Sequence, residues 1–338
     1  MRIAVIGAGS WGTAVAWLLG SNGHHITMWA REGDIAEGIN AEHRNPVYLT
    51  AVDLPQSVSA TSDYERAVER ADLVVMVTPT IGMRETATHL KPYVPHTTPV
   101  VSLAKGLEKD TLLRMTQVLE DVLGNRARLA ALSGPNHAEE VSTGVPSATV
   151  VAAYDDATAR FVRDAFFSPT FRAYTNADVI GVELGGATKN VIAVAAGATD
   201  GLGFGDNTKA ALLTRGLAEM SRLGAAMGAK PITFMGLAGM GDLIATAMSR
   251  HSRNRLLGEM IAQGKTVEDF YNETHMVAEG ATAALTIDQL GKQHGIDMPI
   301  THVVRTVLYE GASLADALDY LLGREASDEL QSMGLAED

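Results

Sequence analysis

The feature that most constrains this chain is a glycine-rich turn between a strand pattern and a helix pattern. The turn, Gly7-Ala8-Gly9-Ser10-Trp11-Gly12, follows the apolar run RIAVI and opens the helical run WGTAVAWLLG. Gly7 permits a tight turn, Gly9 lets a bound group approach the backbone, and Gly12 lets the helix pack closely on the strand. The helix N-terminus offers N–H groups and a positive dipole end to an anion. The pattern favours binding of a dinucleotide at this turn, and this motif alone is also compatible with a flavin dinucleotide.

The first half of the chain alternates short β-rich runs with helical stretches. This alternation indicates right-handed βαβ crossovers and a mostly parallel sheet. The predicted strands are Ile3–Ile6, Ile26–Trp29, Leu73–Val77, Val100–Leu103, Leu129–Leu132, Ser147–Ala152 and Phe171–Tyr174. The predicted helices are Trp11–Leu19, Tyr64–Glu69, Thr111–Val122 and Ala157–Phe166.

Beyond Asp178, runs of Val and Ile give way to Ala, Gly, Leu and Met at helical spacing. The predicted helices there are Val182–Thr199, Lys209–Met227, Arg253–Gln263, Thr282–Lys292 and Leu314–Leu322. A chain of 338 residues suits about two domains. We therefore predict an α/β protein, with a Rossmann-type doubly wound, mostly parallel sheet over residues 1–182. An all-helical domain over residues 183–338 is expected to follow.

Composition excludes several classes of function. The chain has no cysteine, which excludes disulfides, thiolate metal sites and a cysteine nucleophile. Its formal net charge of −13 repels a nucleic-acid backbone. The scattered histidines form no metal motif, so no metal is expected. We see no secretory leader and no apolar run near the roughly 20 residues of a membrane span, and we expect a cytoplasmic protein.

The end of the second predicted strand bears on the choice of cofactor. NAD sites usually carry Asp or Glu there, to accept a hydrogen bond from the ribose 2′-OH, whereas Arg accommodates a 2′-phosphate. Here the run HHITMWAR ends in Arg31, followed by Glu32 and Asp34. NADP(H) is therefore favoured, with NAD(H) possible. The alternative is that Arg31 is only a solvated residue at a helix start.

Two segments follow predicted strands directly. Lys105 comes after Val100–Leu103, and the run Ser133-Gly134-Pro135-Asn136 comes after Leu129–Leu132. Ligands of open parallel sheets bind beyond the carboxyl ends of the strands, so both segments are candidates for ligand contact. A lysine at a turn is also commonly a surface residue, and that alternative stays open for Lys105.

Lys189 is unusual because it lies in a helix of Gly, Ala, Val and Ile, where Gly185 and its small neighbours let a ligand or another helix come close. A lysine desolvated there should have a lowered pKa, and a second cation nearby would lower that pKa further. Such an ammonium can deliver or remove a proton near neutral pH. The alternative is a lysine that reaches solvent from a helix end.

A polar stripe follows Gly241. Asp242 and Thr246 stand at i and i+4 on one helix face, and Ser249 and Arg253 continue the stripe if the helix stays intact. A carboxylate, hydroxyls and a guanidinium on one face suit a phosphorylated polyol, because Arg grips phosphate bidentately. The alternative is that a new helix begins here and Ser252 is its N-cap.

The chain carries a set of motifs: GAGSWG, AKGLE, SGPNHAEE, ELGGATKNVIAVAAGATDGL, and GDLIAT followed by SRN. By this set, the chain resembles the NAD(P)-dependent glycerol-3-phosphate dehydrogenases of bacterial type over nearly its whole length. Related 3-hydroxyacid, 6-phosphogluconate and ketopantoate enzymes share the first motif but not the set. The resemblance implies reversible hydride transfer between NAD(P)H and dihydroxyacetone phosphate, which gives sn-glycerol 3-phosphate for phospholipid synthesis. The substrate is a small molecule, and a homodimer is expected.

Residue roles are carried over from the resemblance by motif. They make Lys189 the general acid/base, assisted by Lys105 and Asp242. The implied substrate contacts are Lys105, Gly134, Asn136, Lys189, Asp242, Thr246, Ser252, Arg253 and Asn254. The implied cofactor contacts are Gly7, Gly9, Ser10, Trp11, Gly12, Arg31, Lys105, Ala138, Arg253, Val277 and Glu279.

The chain departs from the family pattern at Asn136 and His137, where the family often has Ser or Thr followed by Phe. Asp242 should orient Lys189 through a charge-assisted hydrogen bond, but it also opposes the lowering of the Lys189 pKa, so the sequence leaves the sign of the net shift open. Two other functions stay open on the residues alone, another hydroxyacid dehydrogenase of the same two-domain plan and a non-catalytic NADP(H)-sensing protein.

Overall fold

The computed structural model describes residues 1–274, 276–325 and 329, and its chain divides into two compact units. Unit 1 comprises Met1–Ala104 and Leu113–Val179. Unit 2 comprises Lys105–Leu112 and the chain from Ile180 onward. The short segment Lys105–Leu112 therefore belongs with the C-terminal helices, although the sequence analysis placed it within residues 1–182. Residues 326–328 and 330–338 of the predicted second domain lie outside the described residues.

Unit 1 is built on a single eight-stranded sheet. Its strands are β1 (Arg2–Ile6), β2 (His25–Trp29), β3 (Val58–Thr61), β4 (Leu73–Met76), β5 (Val100–Ser102), β6 (Leu129–Ser133), β7 (Ser147–Ala153) and β8 (Phe171–Asn176). The order across the sheet is β3-β2-β1-β4-β5-β6-β7-β8, and every neighbouring pair is parallel except β6 with β7. The first six strands have the order of a doubly wound dinucleotide-binding sheet. The predicted fold class is confirmed.

The burial of the strands explains which of them the sequence revealed. In β4, β5 and β6 every residue is buried, as expected for strands covered on both faces, and such strands read as continuous apolar runs. Strand β3 was not predicted, because its sequence VSAT is short and half polar. It lies at the edge of the sheet, where alternate residues face water, so it leaves no apolar run to detect.

Helices cover both faces of this sheet. They are α1 (Ser10–Ser21), α2 (Gly33–Glu42), α3 (Tyr64–Val68), α4 (Met83–Leu90), α5 (Met115–Leu123), α6 (Ala138–Val141) and α7 (Asp156–Phe166), with 3₁₀ turns at Thr80–Gly82 and Arg126–Arg128. Ile3 and Val5 of β1 belong to one apolar cluster, and Ala4 and Ile6 belong to another. Successive strand residues point to opposite faces, so unit 1 has one hydrophobic core on each side of the sheet.

From Ile180 onward, the described residues of unit 2 form helices and their connections, as predicted. Its helices are α8 (Val179–Gly201), α9 (Asp206–Ala226), α10 (Pro231–Phe234), α11 (Asp242–Met248), α12 (Arg253–Ala262), α13 (Val267–Thr274), α14 (Glu279–Gln293), α15 (Pro299–Tyr309) and α16 (Leu314–Leu322), with a π-helical turn at Leu237–Gly241. They share one apolar core, to which Leu107 and Leu112 of the short segment also contribute.

Two helical stretches of the described residues are long and apolar enough to cross a membrane, by length and composition alone. They are Val179–Gly201 and Pro231–Met248, and neither stood out in the sequence as a run of that length. The most apolar window of the first is 89% buried inside the protein, as in the core helix of a globular domain. The second includes the π-helical turn and the charged residue Asp242. These two stretches do not establish a membrane span.

Candidate active site

The glycine turn after β1 has the geometry that its sequence predicts. Gly7 adopts φ +124°, a conformation that residues with a side chain rarely take. A Cβ at Gly12 would lie 1.9 Å from the carbonyl oxygen of Gly7, so only glycine lets α1 start here. A Cβ at Gly9 would meet no atom within 4 Å, which leaves the backbone open to a bound group. No side chain caps α1, and its first turn, which begins with Ser10 and Trp11, has no acidic residue. These features fit a pyrophosphate.

Asn45 supports this turn and was missed by the sequence analysis. Its side chain is fully buried, and its Nδ2 donates to the carbonyl oxygen of Ala8 at 2.8 Å and to Oγ1 of Thr13 at 2.9 Å. Its Oδ1 accepts hydrogen bonds from the backbone N–H groups of Val47 and Tyr48. Asn45 thus ties the turn to a loop 37 residues away in sequence. The only local signal is the dipeptide Asn-Pro, which marks a turn but predicts no partner.

Arg31 lies just beyond the end of β2, as the sequence places it. Its side chain is 82% exposed, and Nε and Nη2 donate to Oε1 of Glu32 at 2.9 and 2.7 Å. The hydrogen bond from Arg31 and the negative charge of Glu32 raise the pKa of Arg31. The ring of Trp29, the last residue of β2, stacks on Tyr64 at 4.4 Å between centroids. A guanidinium, a carboxylate and an aromatic stack therefore stand together at this strand end.

The loop after β6 holds the predicted contacts Gly134, Asn136 and Ala138. Gly134 adopts φ +155°, and a Cβ there would lie 3.0 Å from Cα of Thr149. Nδ2 of Asn136 donates to the carbonyl oxygen of Ala148 at 2.9 Å. Among the described residues, nothing donates to the buried Oδ1 of Asn136. Ala138 is buried and begins α6. The amide of Asn136 therefore holds the loop to β7 and keeps one oxygen available to a ligand.

Three ionisable residues meet inside unit 2, and we call them the Lys–Asp–Lys cluster: Lys105, Lys189 and Asp242. Oδ1 of Asp242 lies 3.0 Å from Nζ of Lys189, and Oδ2 accepts from Nζ of Lys105 at 2.6 Å. The side chains of Lys189 and Asp242 are only 6% and 3% exposed, and that of Lys105 is 19% exposed. One carboxylate therefore holds two ammonium groups in the protein interior.

Thr246 completes this cluster from one helical turn further along α11. Its Oγ1 accepts from Nζ of Lys189 at 2.6 Å and lies 3.2 Å from Oδ1 of Asp242, to which it donates. The predicted i, i+4 pair of Asp242 and Thr246 is thus present. Helix α8 approaches the preceding π-helical turn so closely that a Cβ at Gly185 would lie 2.6 Å from the carbonyl oxygen of Ala238. The small residues of α8 admit another segment of the chain.

Burial decides the protonation behaviour of Lys189. Desolvation lowers its pKa, the charge of Asp242 raises it, and the charge of Lys105 lowers it, with a net value of about 8. For Asp242, burial alone would raise the pKa, but the charges and hydrogen bonds of the two lysines lower it below the ordinary value. Asp242 therefore stays ionised while Lys189 can gain or lose a proton near neutral pH. The net shift of the Lys189 pKa, whose direction the sequence left open, is therefore downward.

A chain of buried amides adjoins the cluster. Nδ2 of Asn190, the residue after Lys189, donates to the carbonyl oxygens of Lys105 and Gly186 at 3.2 and 3.3 Å. Oδ1 of Asn190 accepts from Nδ2 of Asn254 at 2.8 Å, and Oδ1 of Asn254 accepts from the N–H of Gly280 at 2.8 Å. The sequence analysis missed Asn190, because an amide in an apolar helix predicts a buried partner without identifying it.

The polar stripe could continue beyond Thr246 only on an intact helix, and that condition is not met. Helix α11 ends at Met248, Ser249 is extended, and α12 begins at Arg253. Ser249 and Arg253 therefore do not extend the face of Asp242. Oγ of Ser252 accepts from the N–H of Arg255 at 3.2 Å, so Ser252 is the N-cap of α12.

The remaining predicted contacts of unit 2 lie near the starts of α12 and α14. Arg253 is exposed, and its Nη1 donates to the carbonyl oxygen of Val277 at 3.3 Å. The structure thus brings two predicted contacts together. Glu279 is half-buried and opens α14. Over the part of the chain that the structure describes, no group of three or more His, Cys, Asp or Glu residues could hold a metal ion.

Comparison with known proteins gives concordant similarities over both halves of the chain. A model of the NAD-dependent glycerol-3-phosphate dehydrogenase N-terminus matches residues 2–159, and a model of the C-terminus of the same family matches residues 178–319. A protein of Salinibacter ruber named glycerol-3-phosphate dehydrogenase (NAD(P)+) 2 is 49% identical over 97% of this chain and 96% of its own length. A glycerol-3-phosphate dehydrogenase (NAD(P)+) of Moorella thermoacetica is 48% identical over 98% of both.

Solved structures extend the comparison. The crystal structure of glycerol-3-phosphate dehydrogenase from Coxiella burnetii superposes with a TM-score of 0.91 at 35% identity, over 96% of this chain and 99% of that one. A ketopantoate reductase from Ralstonia eutropha has a TM-score of 0.60 at 18% identity, over 91% of this chain and 97% of that one. This second likeness shows a shared fold alone.

Proposed function

Because the chain belongs to the NAD-dependent glycerol-3-phosphate dehydrogenase family, we propose that it catalyses hydride transfer between a nicotinamide cofactor and the glycerol 3-phosphate/dihydroxyacetone phosphate couple. The observation that carries this proposal is the Lys–Asp–Lys cluster, where burial lowers the pKa of Lys189 to about 8. A general acid or base works best with a pKa near the operating pH.

The glycine turn of unit 1 binds the cofactor. Backbone N–H groups at the start of α1 receive the pyrophosphate, with Ser10 and Trp11 beside it. The nicotinamide, when bound, supplies or accepts the hydride. The family resemblance supports further contacts from Lys105, Ala138, Arg253, Val277 and Glu279. Arg31 at the end of β2 favours NADP(H), and NAD(H) is accepted as well.

Unit 2 binds the phosphate of the substrate. Arg253 presents an exposed guanidinium, and Arg is suited to bidentate contact with phosphate. The amide of Asn254 carries a second N–H beyond the one it donates to Asn190. Ser252 contributes as the residue that fixes the start of α12. Gly134 and Asn136 contact the substrate from the loop after β6. Binding energy from the phosphate orients the reacting carbonyl.

Lys189 moves the proton. In the reducing direction its protonated Nζ donates to the carbonyl oxygen of dihydroxyacetone phosphate as that oxygen gains negative charge, and in the oxidising direction neutral Nζ accepts the hydroxyl proton. The ammonium of Lys105 stabilises the negative charge on the same oxygen. Asp242 accepts from both lysines and Thr246 accepts from Lys189, and these contacts hold the two Nζ atoms in place.

The product, sn-glycerol 3-phosphate, supplies phospholipid synthesis. The reaction is reversible, and we place the enzyme in the cytoplasm as a homodimer. The use of the product, the reversibility and the homodimer rest on the family resemblance.

A spectrophotometric assay at 340 nm tests the proposed function. NADPH and NADH are offered with dihydroxyacetone phosphate, with unphosphorylated dihydroxyacetone as the matched control, and with a panel of 2-keto acids. We expect turnover with dihydroxyacetone phosphate and little with the control, because the phosphate contributes the binding energy. Turnover of a 2-keto acid instead would favour another hydroxyacid dehydrogenase. Dinucleotide binding without any turnover would favour a non-catalytic sensing protein.

A further inference from the structure

The end of β2 carries two side chains with opposite preferences for the adenosine half of the cofactor. Arg31 and Glu32 are adjacent, and both are accessible, with side chains 82% and 45% exposed. In doubly wound sheets this position contacts the ribose of the adenosine, where a carboxylate suits the 2′-OH of NAD(H) and an arginine suits the 2′-phosphate of NADP(H). This chain has both determinants at one strand end.

Arg31 and Glu32 form an ion pair with each other. Nε and Nη2 of Arg31 both donate to a single oxygen of Glu32, at 2.9 and 2.7 Å. These are N–H groups that a bidentate contact with a phosphate would use. A 2′-phosphate therefore competes with Glu32 for the guanidinium, whereas a 2′-OH can donate to Glu32 while the pair stays intact.

The local charge also opposes a phosphate. The raised pKa of Arg31 has its largest cause in Glu32, and Tyr48 and Glu85 of α4 contribute in the same direction. The carboxylates of Glu32 and Glu85 thus both act on the guanidinium of Arg31, and the formal charges of these three groups sum to −1. A phosphate monoester carries about −1.5 to −2 charges at pH 7. Repulsion from Glu32 reduces the advantage that Arg31 gives to NADP(H).

The pair can still open, because exposed ion pairs contribute little to stability. We propose that Glu32 is the specificity-determining residue of the cofactor site. It restrains the preference for NADP(H) by occupying Arg31, and it accepts the ribose 2′-OH of NAD(H). We therefore expect the wild-type chain to bind both cofactors. This inference rests on the proposed function.

Equilibrium titration of NADP+ and NAD+ in the absence of substrate tests the role of Glu32. In Glu32→Gln we expect NADP+ to bind about five- to tenfold tighter and NAD+ several-fold weaker, because the variant frees Arg31 and removes a negative charge. Arg31→Met should weaken NADP+ about tenfold or more and leave NAD+ within about twofold. Glu32 is at the N-cap position of α2 but its side chain makes no capping bond, so the Gln variant keeps the helix start.

Asp34→Asn is the matched control, because Asp34 lies in the same first turn of α2 and its Oδ1 accepts from the N–H of Ile35 rather than from Arg31. We expect the ratio of the two dissociation constants to change less than about twofold in this variant. An unchanged ratio in Glu32→Gln, or an equal change in Asp34→Asn, would overturn the assignment of Glu32. Binding of neither dinucleotide to the wild-type chain would overturn the proposed function together with it.

Discussion

Unit 1 and unit 2 each place a cation against a carboxylate, but one pair lies in water and the other in the protein interior. The Arg31 and Glu32 side chains are 82% and 45% exposed, whereas those of Lys189 and Asp242 are 6% and 3% exposed. The distances between the charged atoms are similar, at 2.7 and 3.0 Å. Contact distance alone therefore does not distinguish the two pairs.

Burial makes the two pairs different in chemistry. An exposed pair is solvated on both sides, so it can exchange partners at little cost, which suits a site that selects between two cofactors. In a buried pair each charge is stabilised by its partner, because no water is present to solvate it if the partner is removed. The buried pair suits proton transfer, because desolvation brings the pKa of Lys189 to about 8 while its position stays fixed.

Asp242→Asn should give the largest effect. The variant keeps the shape of the side chain but leaves the buried ammonium of Lys189 and the partly buried ammonium of Lys105 without their counter-ion. We expect the free energy of unfolding to fall by about 3–5 kcal/mol, as when one partner of a buried pair is removed. Turnover should fall by about 10³-fold or more. Chemical denaturation and steady-state kinetics measure the two effects. If Asp242→Asn lowered the free energy of unfolding by less than the loss of an exposed ion pair does, the proposed difference between the buried and the exposed pair would be wrong.

Thr246→Val removes the hydroxyl that binds Lys189 and Asp242 and keeps the side-chain volume. We expect a loss of about 1–3 kcal/mol in the free energy of unfolding, the cost of leaving a buried donor without its partner. Turnover should fall because Nζ of Lys189 loses one of its two positioning contacts. Thr246→Ser is the control, since it retains the hydroxyl. If the Val and Ser variants behave alike in both measurements, the hydroxyl does not position Lys189.

The pH dependence of kcat/KM reports the protonation of the buried lysine. Reduction of dihydroxyacetone phosphate needs protonated Lys189, so its kcat/KM should decline as pH rises through about 8. Oxidation of glycerol 3-phosphate needs the neutral form and should rise over the same range. In Lys105→Met the inflection should move to higher pH, because the charge of Lys105 lowers the pKa of Lys189. An inflection that moves to lower pH would contradict this electrostatic account.

Glu32→Gln should give the smallest effect on stability. Because the ion pair with Arg31 is exposed, we expect the free energy of unfolding to change by less than about 0.5 kcal/mol. Chemical denaturation of this variant beside Asp242→Asn compares the exposed and buried pairs directly. If Glu32→Gln lowered the free energy of unfolding as much as Asp242→Asn does, exposure to solvent would not explain how the two ion pairs differ.

The sequence predicted those parts of the fold that are encoded locally. The glycine turn, the apolar central strands and the helices α8, α9, α12, α14 and α16 each leave a short-range pattern, and each was found. The helices α10, α13 and α15 of unit 2 were not predicted. The edge strand β3 was missed because its residues alternate between core and water over only four positions. Of the two possibilities left open beyond Thr246, the new helix is present, because the chain is extended at Ser249 before Ser252 caps α12.

The contacts between distant residues were harder to predict. The family resemblance led us to expect that Asp242 would bond Lys189, and the structure has that contact. Nothing local placed Lys105 on the other oxygen of the same carboxylate, 137 residues away in sequence. The amides of Asn45 and Asn190 were missed for the same reason, since their partners are chosen by the tertiary arrangement of the chain.

Rescue of Lys189→Ala by a small amine tests whether the ammonium of Lys189 donates the proton. In this variant we expect turnover of dihydroxyacetone phosphate to fall by about 10³-fold or more, with cofactor affinity unchanged within a few fold. Ethylammonium, which has N–H groups, should restore part of the activity, and tetramethylammonium at the same concentration should restore none. Turnover near the wild-type level in the variant without added amine would show that Lys189 is not the proton donor.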